Sequence, residues 1–131
     1  MPAPDALITF LPVRDLEATD GFYRGVLGLP LAVDQGSCRI YRVAGGGFIG
    51  FCQHPDAAAI DGVIVTLVTD DVDGWHARLT RAGVATDGSP RHNPTYAIRH
   101  FYTRDPDGWA VEVQRFDDAS WSHAEGDPIQ K

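Results

Sequence analysis

The sequence predicts an α+β fold built from two tandem βαβββ modules, because the 131-residue chain carries the same order of patterns twice. Each half opens with an apolar strand, continues with an amphipathic helix that follows an aspartate, and ends with three short strands. Aligning the two strand-to-helix junctions places Asp15 over Asp71 and Ile8 over Ile64. This repeated spacing indicates an internal duplication.

The first module is predicted over about residues 5–55. It begins with a strand at residues 7–13, and Asp15 is then a suitable N-cap for a helix that extends to about Leu27, where Gly28 ends it. Three strands follow, with the glycines at 45–47 forming the turn between the last two. These strands are predicted around residues 31–33, 37–43 and 48–53.

The second module is predicted over about residues 62–116. A strand at 62–69 leads to a helix capped by Asp70 or Asp71 and ended by Gly83. Its apolar positions recur at helical spacing and are Val72, Trp75, Leu79 and Ala82. Strands are predicted around residues 84–86, 97–103 and 109–115. Residues 1–117 therefore form one domain, and 118–131 form a polar C-terminal tail.

The segment from Asp105 to Gln114 predicts a tight turn that leads directly into a strand. Pro106 restricts one φ angle, and Gly108 can adopt the positive φ that such a turn needs. In the strand, Glu112 shares a face with Gln114 and lies opposite a face of valines. A carboxylate in the middle of a strand requires a wet or ligand-lined face, because burying it without partners is costly.

Composition narrows the possible partners. The net charge of −7 argues against nucleic acid and anionic membranes. Cys38 and Cys52 are the two cysteines, and we expect them to be reduced in a cytoplasmic protein. The sequence shows neither a signal-peptide pattern nor a run of ~18 apolar residues long enough to span a membrane.

Three segments resemble the vicinal oxygen chelate superfamily, which includes glyoxalase I, extradiol dioxygenases, fosfomycin-resistance enzymes and bleomycin-resistance proteins. They are residues 13–28, with Phe22-Tyr23 and Leu27-Gly28, residues 69–73, and residues 105–112. The resemblance extends through Phe116. It implies that the two modules form a cupped mixed sheet with the helices on the outer face. It also implies a homodimer.

The resemblance implies metal ligands on the first and last strand of each module in members that use a metal. These positions fall here on Ile8, Ile64, approximately Gly50, and Glu112. Only Glu112 can donate a lone pair, whereas a catalytic site needs about three protein ligands. We therefore predict no metal cofactor. The alternative is a displaced site for Zn, Fe, Mn or Ni that uses His100, Glu112 and His54.

Strand parity predicts which side chains line the inside of the cup. They would form an apolar, aromatic pocket with a few polar groups, which is typical of a small-molecule site, and Gly50 would leave room for the ligand. The alternative is that Ile8, Phe10 and Ile64 pack a closed core. The predicted ligand-binding residues are Ile8, Phe10, Phe48, Gly50, Ile64, Thr66, His100, Tyr102 and Glu112.

Two polar residues of this set have more than one interpretation. Glu112 either contacts a ligand or is a structural acceptor, paired with Arg42 or Arg99 or hydrogen-bonded by Tyr102. Tyr102 matches a position at which the resemblance implies a catalytic tyrosine in extradiol dioxygenases, but we interpret it and His100 as wall residues that orient a ligand. The other histidines, at 54, 76, 92 and 123, are predicted to face solvent or to form local hydrogen bonds.

The predicted function is that of a metal-free small-molecule binding protein similar to the bleomycin-resistance branch. It would act in antibiotic resistance by sequestering an aromatic or amphipathic compound, with two pockets per homodimer and no catalytic residue. The alternatives are a metal-dependent glyoxalase- or dioxygenase-type enzyme with a displaced metal, and a metal-free isomerase that uses Glu112 or His100 as a base. A third interpretation is a structural or regulatory domain whose cup is filled by its own side chains.

Overall fold

The computed structural model describes residues 2–118 and residue 121. The chain divides into two compact units, of which the first comprises Met1–Val63 with Arg104–Ala110 and the second comprises Ile64–Thr103 with Val111–Lys131. Each unit contains a four-stranded sheet, and the two strand orders correspond, β1-β4-β3-β2 and β5-β8-β7-β6. The predicted α+β fold with a duplicated βαβββ pattern is therefore confirmed.

The first unit begins with strand β1, Leu7–Val13, followed by helix α1, which is α-helical over Leu16–Asp20 and π-helical over Gly21–Val26. Asp15 caps α1, as predicted, because its side chain accepts a hydrogen bond from the Glu17 amide. Strands β2, Leu31–Asp34, β3, Cys38–Ala44, and β4, Gly47–Gln53, complete the sheet. Strand β1 pairs with β4 in parallel, whereas β2, β3 and β4 are antiparallel neighbours.

The core of the first unit lies between α1 and its sheet. Tyr23 of α1 is fully buried, and its ring centroid is 4.5 Å from that of Phe51 on β4. Ile49 and Leu11 are buried as strand parity predicts, but Leu7 is 70% exposed and does not belong to the core. Leu7 lies at the outer end of an edge strand, where parity alone does not guarantee a covering layer.

The second unit contains β5, Ile64–Val68, α2, Val72–Arg81, β6, Arg91–Asn93, β7, Ile98–Arg104, and β8, Ala110–Phe116. Asp71 caps α2 by accepting a hydrogen bond from the Gly74 amide. Val72 and Leu79 of the predicted apolar stripe are buried, and His76 of α2 lies edge-on to Phe101 of β7. Phe101 therefore faces the helix, and the residues next to it on β7 face the opposite side of the sheet.

One strand of the second module was predicted in the wrong place. Residues 84–86 are not a strand, because the Val84 amide closes the end of α2 on Leu79 and Thr86 forms only an isolated bridge to Thr103. The strand is instead Arg91–Asn93, which is polar and has little intrinsic strand preference. It forms because it pairs antiparallel with β7, with Arg91 opposite His100.

The prediction of two reduced cysteines is wrong, because Cys38 and Cys52 form a disulfide bond. The two residues lie directly opposite each other in the antiparallel β3–β4 register. Fourteen positions separate them in sequence, so their proximity depends on strand register, which the sequence pattern does not reveal. Reduced cysteines therefore no longer support the prediction of a cytoplasmic location.

The described residues contain no helix that is both long and apolar enough to cross a bilayer. The predicted C-terminal tail at 118–131 lies outside the described residues except for Asp118 and Trp121.

Candidate functional site

The candidate site lies on the face of the second sheet opposite α2. On β8, Val111 and Val113 are completely buried on the helix side, and this places Glu112 and Gln114 on the other face, as predicted. On β7, Phe101 faces α2, so His100 and Tyr102 project to the same face as Glu112. Two neighbouring strands thus bring four polar side chains together.

His100 and Glu112 form a buried pair at the centre of this face. The Nδ1 atom of His100 lies 2.8 Å from the Oε2 atom of Glu112, and each side chain is only 9% exposed. An ionised carboxylate can only accept hydrogen bonds, so the hydrogen lies on Nδ1. The ring of Tyr102 contacts His100 edge-on at 5.4 Å between centroids, which restricts the orientation of the imidazole.

Glu112 accepts hydrogen bonds from other neighbours as well. The Thr66 hydroxyl on β5 donates to Oε1 at 3.2 Å. In the amide orientation that satisfies both groups, the Gln114 nitrogen lies 3.1 and 3.0 Å from the two carboxylate oxygens. Burial raises the pKa of Tyr102, and the negative charge of Glu112 raises this pKa further. Glu112 is therefore a carboxylate surrounded by protein donors.

The alternative arginine partners of Glu112 are engaged elsewhere. Arg99 forms an ion pair with Asp73, with 2.8 Å between its Nη2 atom and the carboxylate. The guanidinium of Arg42 lies over the ring of Phe48, 4.7 Å from its centroid. The proposed arginine pairings are therefore wrong, and the hydrogen bond from Tyr102 to Glu112 stays a prediction.

A cavity of about 280 Å³ opens on this face. His100, Tyr102 and Glu112 were predicted from the sequence to line it, and Thr66 contacts it indirectly through Glu112. Ile64 lies on β5 and is 49% exposed, so it does not pack a closed core. The lining residues are Asn93, Tyr96, Ile98, His100, Tyr102, Glu112, Gln114 and Phe116.

Five lining residues were not predicted. Ile98, Gln114 and Phe116 share the strand parity of His100 and Glu112, and that signal was sufficient to find them. Asn93 and Tyr96 belong to β6 and the following turn, which the misplaced strand concealed. Ala97 in this turn has a φ of 53°, an unusual backbone conformation for a residue with a side chain.

The remaining predicted residues lie in the first unit. Ile8 and Phe10 are 40% and 48% exposed, so the closed-core alternative is also wrong for this face. Phe48 is half-buried. Gly50 does not leave open space, because the Phe10 ring from the neighbouring strand occupies it. A Cβ atom added to Gly50 would lie 2.5 Å from that ring.

A family model described as "Glyoxalase/Bleomycin resistance protein/Dioxygenase superfamily" matches residues 6–113. The chain belongs to this superfamily. No functionally curated protein matches it. The superfamily assignment confirms the resemblance seen in the sequence.

Several solved structures share the fold. A glyoxalase/bleomycin resistance protein/dioxygenase from Nocardioides is 21% identical with a TM-score of 0.71, covering 91% of this chain and 87% of that one. A lactoylglutathione lyase from Agrobacterium tumefaciens is 24% identical with a TM-score of 0.69, covering 87% and 96%. TioX from Micromonospora sp. ML1 is 21% identical with a TM-score of 0.70, covering 86% and 98%. At these identities, the likeness concerns the fold alone.

The superfamily fold raises the question of a divalent metal, and the donor set here does not fit one. Ile8, Ile64 and Gly50 have no side-chain donor atoms, so Glu112 is one ligand where a catalytic site needs about three. Within residues 2–118 and residue 121, no group of three or more His, Cys, Asp or Glu side chains could hold a metal ion. The displaced site at His100, Glu112 and His54 therefore lacks a ligand cluster in this part of the chain.

The other histidines do not add ligands to the site. His76 bonds through Nε2 to the Thr86 hydroxyl at 3.2 Å and the Gly88 carbonyl at 3.1 Å. His54 and His92 are exposed. Their predicted local or solvent-facing roles are confirmed, whereas His123 lies outside the described residues.

Proposed function

We propose that this protein captures a small aromatic or amphipathic molecule in the cavity of the second unit, without a metal ion and without turnover. The observation that carries the proposal is the surroundings of Glu112. A carboxylate held by His100, Thr66 and Gln114 organises the cavity wall, and it belongs to no group of three or more possible metal ligands among the described residues.

The lining of the cavity suits a flat ligand. Tyr96 and Phe116 supply aromatic surface, Ile98 supplies aliphatic surface, and His100 and Gln114 supply polar groups. Apolar walls with a few convergent polar groups are typical of small-molecule sites. A volume of about 280 Å³ suits one or two fused rings. Sequestration of such a compound is the role we propose in antibiotic resistance.

A binding experiment can use the tryptophan beside the cavity. Trp121 stacks on Phe116, a lining residue, with 4.4 Å between ring centroids. A bound aromatic ligand should therefore change Trp121 fluorescence, and W121F should remove the change without removing heat of binding in calorimetry. We expect one saturable site per chain for at least one member of a panel of one- and two-ring aromatic compounds, with the compound recovered unchanged.

A matched pair of variants can locate the binding site. Asn93 lines the cavity, whereas the adjacent His92 projects from the other face of β6 and its side chain is 56% exposed. N93W should weaken ligand binding at least about tenfold by filling the cavity, and H92W should not. Equal affinity in both variants would place the ligand elsewhere and overturn the proposal.

Metal content provides a separate test. Protein purified without chelators or metal-affinity resin should contain well under one equivalent of Zn, Fe, Mn or Ni. Near-stoichiometric metal that H100F and E112Q remove would establish a displaced metal site and favour a glyoxalase- or dioxygenase-type enzyme.

A homodimer is part of this proposal. Several apolar residues on the edge strands of the first sheet are exposed: Leu7 and Phe10 on β1, at 70% and 48%, and Leu31 and Val33 on β2, at 39% and 45%. Exposed apolar strands favour association. Native mass spectrometry should show a dimer, and F10S with V33S should shift the mass to that of the monomer.

The second candidate function is a metal-free enzyme that moves a proton. It is favoured by the buried His100–Glu112 pair, which lies at the cavity and has the geometry of a base with an orienting carboxylate. Such an enzyme should exchange an acidic C–H of a bound ligand with D₂O, and H100F should stop this exchange. Retention of the C–H signal during saturating binding would favour capture.

A further inference from the structure

We infer that the cavity recognises a neutral aromatic ring bearing a hydroxyl group, and that His100 Nε2 accepts the hydroxyl hydrogen while Glu112 acts as the positioning residue. The inference rests on the proposed function, because it names the class of ligand for the same cavity. It follows from the direction of the hydrogen bonds around Glu112.

The imidazole of His100 is held in one tautomer. Its Nδ1 atom lies 2.8 Å from a Glu112 oxygen, and an ionised carboxylate only accepts, so Nδ1 carries the hydrogen. In the neutral ring, Nε2 then carries a lone pair. Because Nδ1 is engaged, a ligand in the cavity can form a hydrogen bond to this ring only through Nε2, and only as a donor.

Gln114 is oriented in the same direction. Its amide nitrogen points to Glu112, which leaves the amide oxygen as the group available to a ligand. Glu112 thus draws the hydrogens of two wall residues, His100 and Gln114, toward itself. At these two positions the wall presents acceptors to the cavity and favours ligands that donate.

The same arrangement disfavours anions. A ligand carboxylate would receive no hydrogen from His100 Nε2 or from the Gln114 oxygen, and it would lie beside the negative Glu112. The net charge of −7 opposes an anionic ligand as well. The aromatic part of the ligand follows from Tyr96 and Phe116, which supply flat apolar surface at the same cavity.

Three naphthalene probes of nearly equal size test the inference. 2-Naphthol offers a hydroxyl donor, 2-methoxynaphthalene offers none, and 2-naphthoate offers an anion. We expect 2-naphthol to bind at least about fivefold more tightly than the ether, as one net hydrogen bond predicts. The naphthoate should bind more weakly than the ether. Calorimetry on the full chain provides the three dissociation constants.

Variants then assign the preference to the pair. H100F removes Nε2 but keeps a ring, so naphthol and ether should bind equally, whereas the same substitution at exposed His92 should leave the preference unchanged. E112Q can donate to Nδ1 as well as accept, so it releases the tautomer and should reduce the preference for naphthol over the ether. ¹⁵N NMR of the His100 ring should show hydrogen on Nδ1 in the wild type and a mixture of tautomers in E112Q.

The possible outcomes separate the two proposals. Equal affinity for naphthol and ether in the wild type would overturn the hydroxyl assignment and leave capture intact. Tightest binding of the naphthoate would also overturn it, because the ring would then be an imidazolium donor. If none of the three probes binds, and N93W binds every compound of the aromatic panel as well as the wild type does, both proposals fail.

Discussion

The phenol of Tyr23 donates a hydrogen bond of 2.7 Å to the Oδ2 atom of Asp105, 82 residues later in the chain. The Oδ1 atom of Asp105 accepts from the backbone amides of Asp107 and Trp109, at 2.9 and 3.0 Å. A single buried carboxylate therefore closes the turn before β8 and joins it to helix α1 within the first unit. This relationship gives a physical reason for the aspartate that opens the turn motif.

Removing the Tyr23 hydroxyl should destabilise the first unit. Y23F leaves Asp105 without one of its donors while the ring continues to pack on Phe51. We expect a loss of about 1–3 kcal/mol in the free energy of unfolding, which is typical when a buried acceptor loses its partner. Urea denaturation measures it, and Y96F, which alters an exposed tyrosine, is the control. A loss in Y23F no larger than in Y96F would contradict this role.

Asp105 should make stability fall as the pH rises. Burial raises the pKa of Asp105 above its ordinary value of 3.8, despite its hydrogen bonds. At a pH between the pKa of Asp105 in the unfolded chain and its higher pKa in the folded protein, the folded state binds more protons than the unfolded state. The stability that Asp105 contributes at low pH is therefore lost as the pH rises through the folded pKa. D105N should remove this contribution and Y23F should extend it to higher pH. Denaturation of the wild type, D105N and Y23F from pH 4 to 8 measures how the free energy of unfolding depends on pH. The same pH dependence in all three proteins would exclude this role of Asp105.

Asp20 should have the opposite effect. The hydrogen bond from Arg24 lowers the pKa of Asp20, and the Tyr41 hydroxyl, which donates to it at 2.7 Å, lowers it as well. Its contribution is present above the unfolded pKa of about 3.8 and is lost as the pH falls through the folded value. D20N should therefore cost about 1 kcal/mol at pH 7 and much less in acid. A cost that does not depend on pH would disprove the ionic origin.

Glu112 should be important for the cavity and not for the fold. The packing of β8 depends on Val111 and Val113, which are completely buried on the other face. E112Q should retain the native circular dichroism spectrum and lose about 1 kcal/mol, whereas E112L, which leaves its donors unpaired, should lose about 3 kcal/mol. Loss of folding in E112Q would show that the pair anchors the whole unit.

The contact of Phe10 with Gly50 can be tested by a double-mutant cycle. A Cβ atom at residue 50 would lie 2.5 Å from the Phe10 ring, so G50A forces this half-exposed ring to move. We expect G50A to cost about 1 kcal/mol in the wild type and less in the F10A background, because the two residues are in contact. Additive costs would mean that the ring moves freely.

Three features of the molecule could be predicted from local sequence. The duplicated strand–helix order, the N-caps Asp15 and Asp71, and the alternation of Glu112 with buried valines follow from helix and strand periodicity and from the chemistry of capping. These features depend on residues a few positions apart, which a single chain displays directly.

Other features depended on which strands become neighbours. The Cys38–Cys52 bond needs the β3–β4 register, and polar residues 91–93 form a strand because β7 pairs with them. Phe10 fills the space above Gly50 from an adjacent strand. His100 was predicted as a wall residue, but its bond to Glu112 was not.

The sequence by itself determined the duplicated α+β order and the superfamily, because both depend on residue type and local spacing. Only the tertiary structure decided that Glu112 collects the hydrogens of His100, Gln114 and Thr66 and so leaves acceptors facing the cavity. These hydrogen bonds need atoms from three strands to lie within about 3 Å of one another. Strand periodicity predicts the face of the sheet on which a side chain lies, but it does not predict the distances between side chains of different strands.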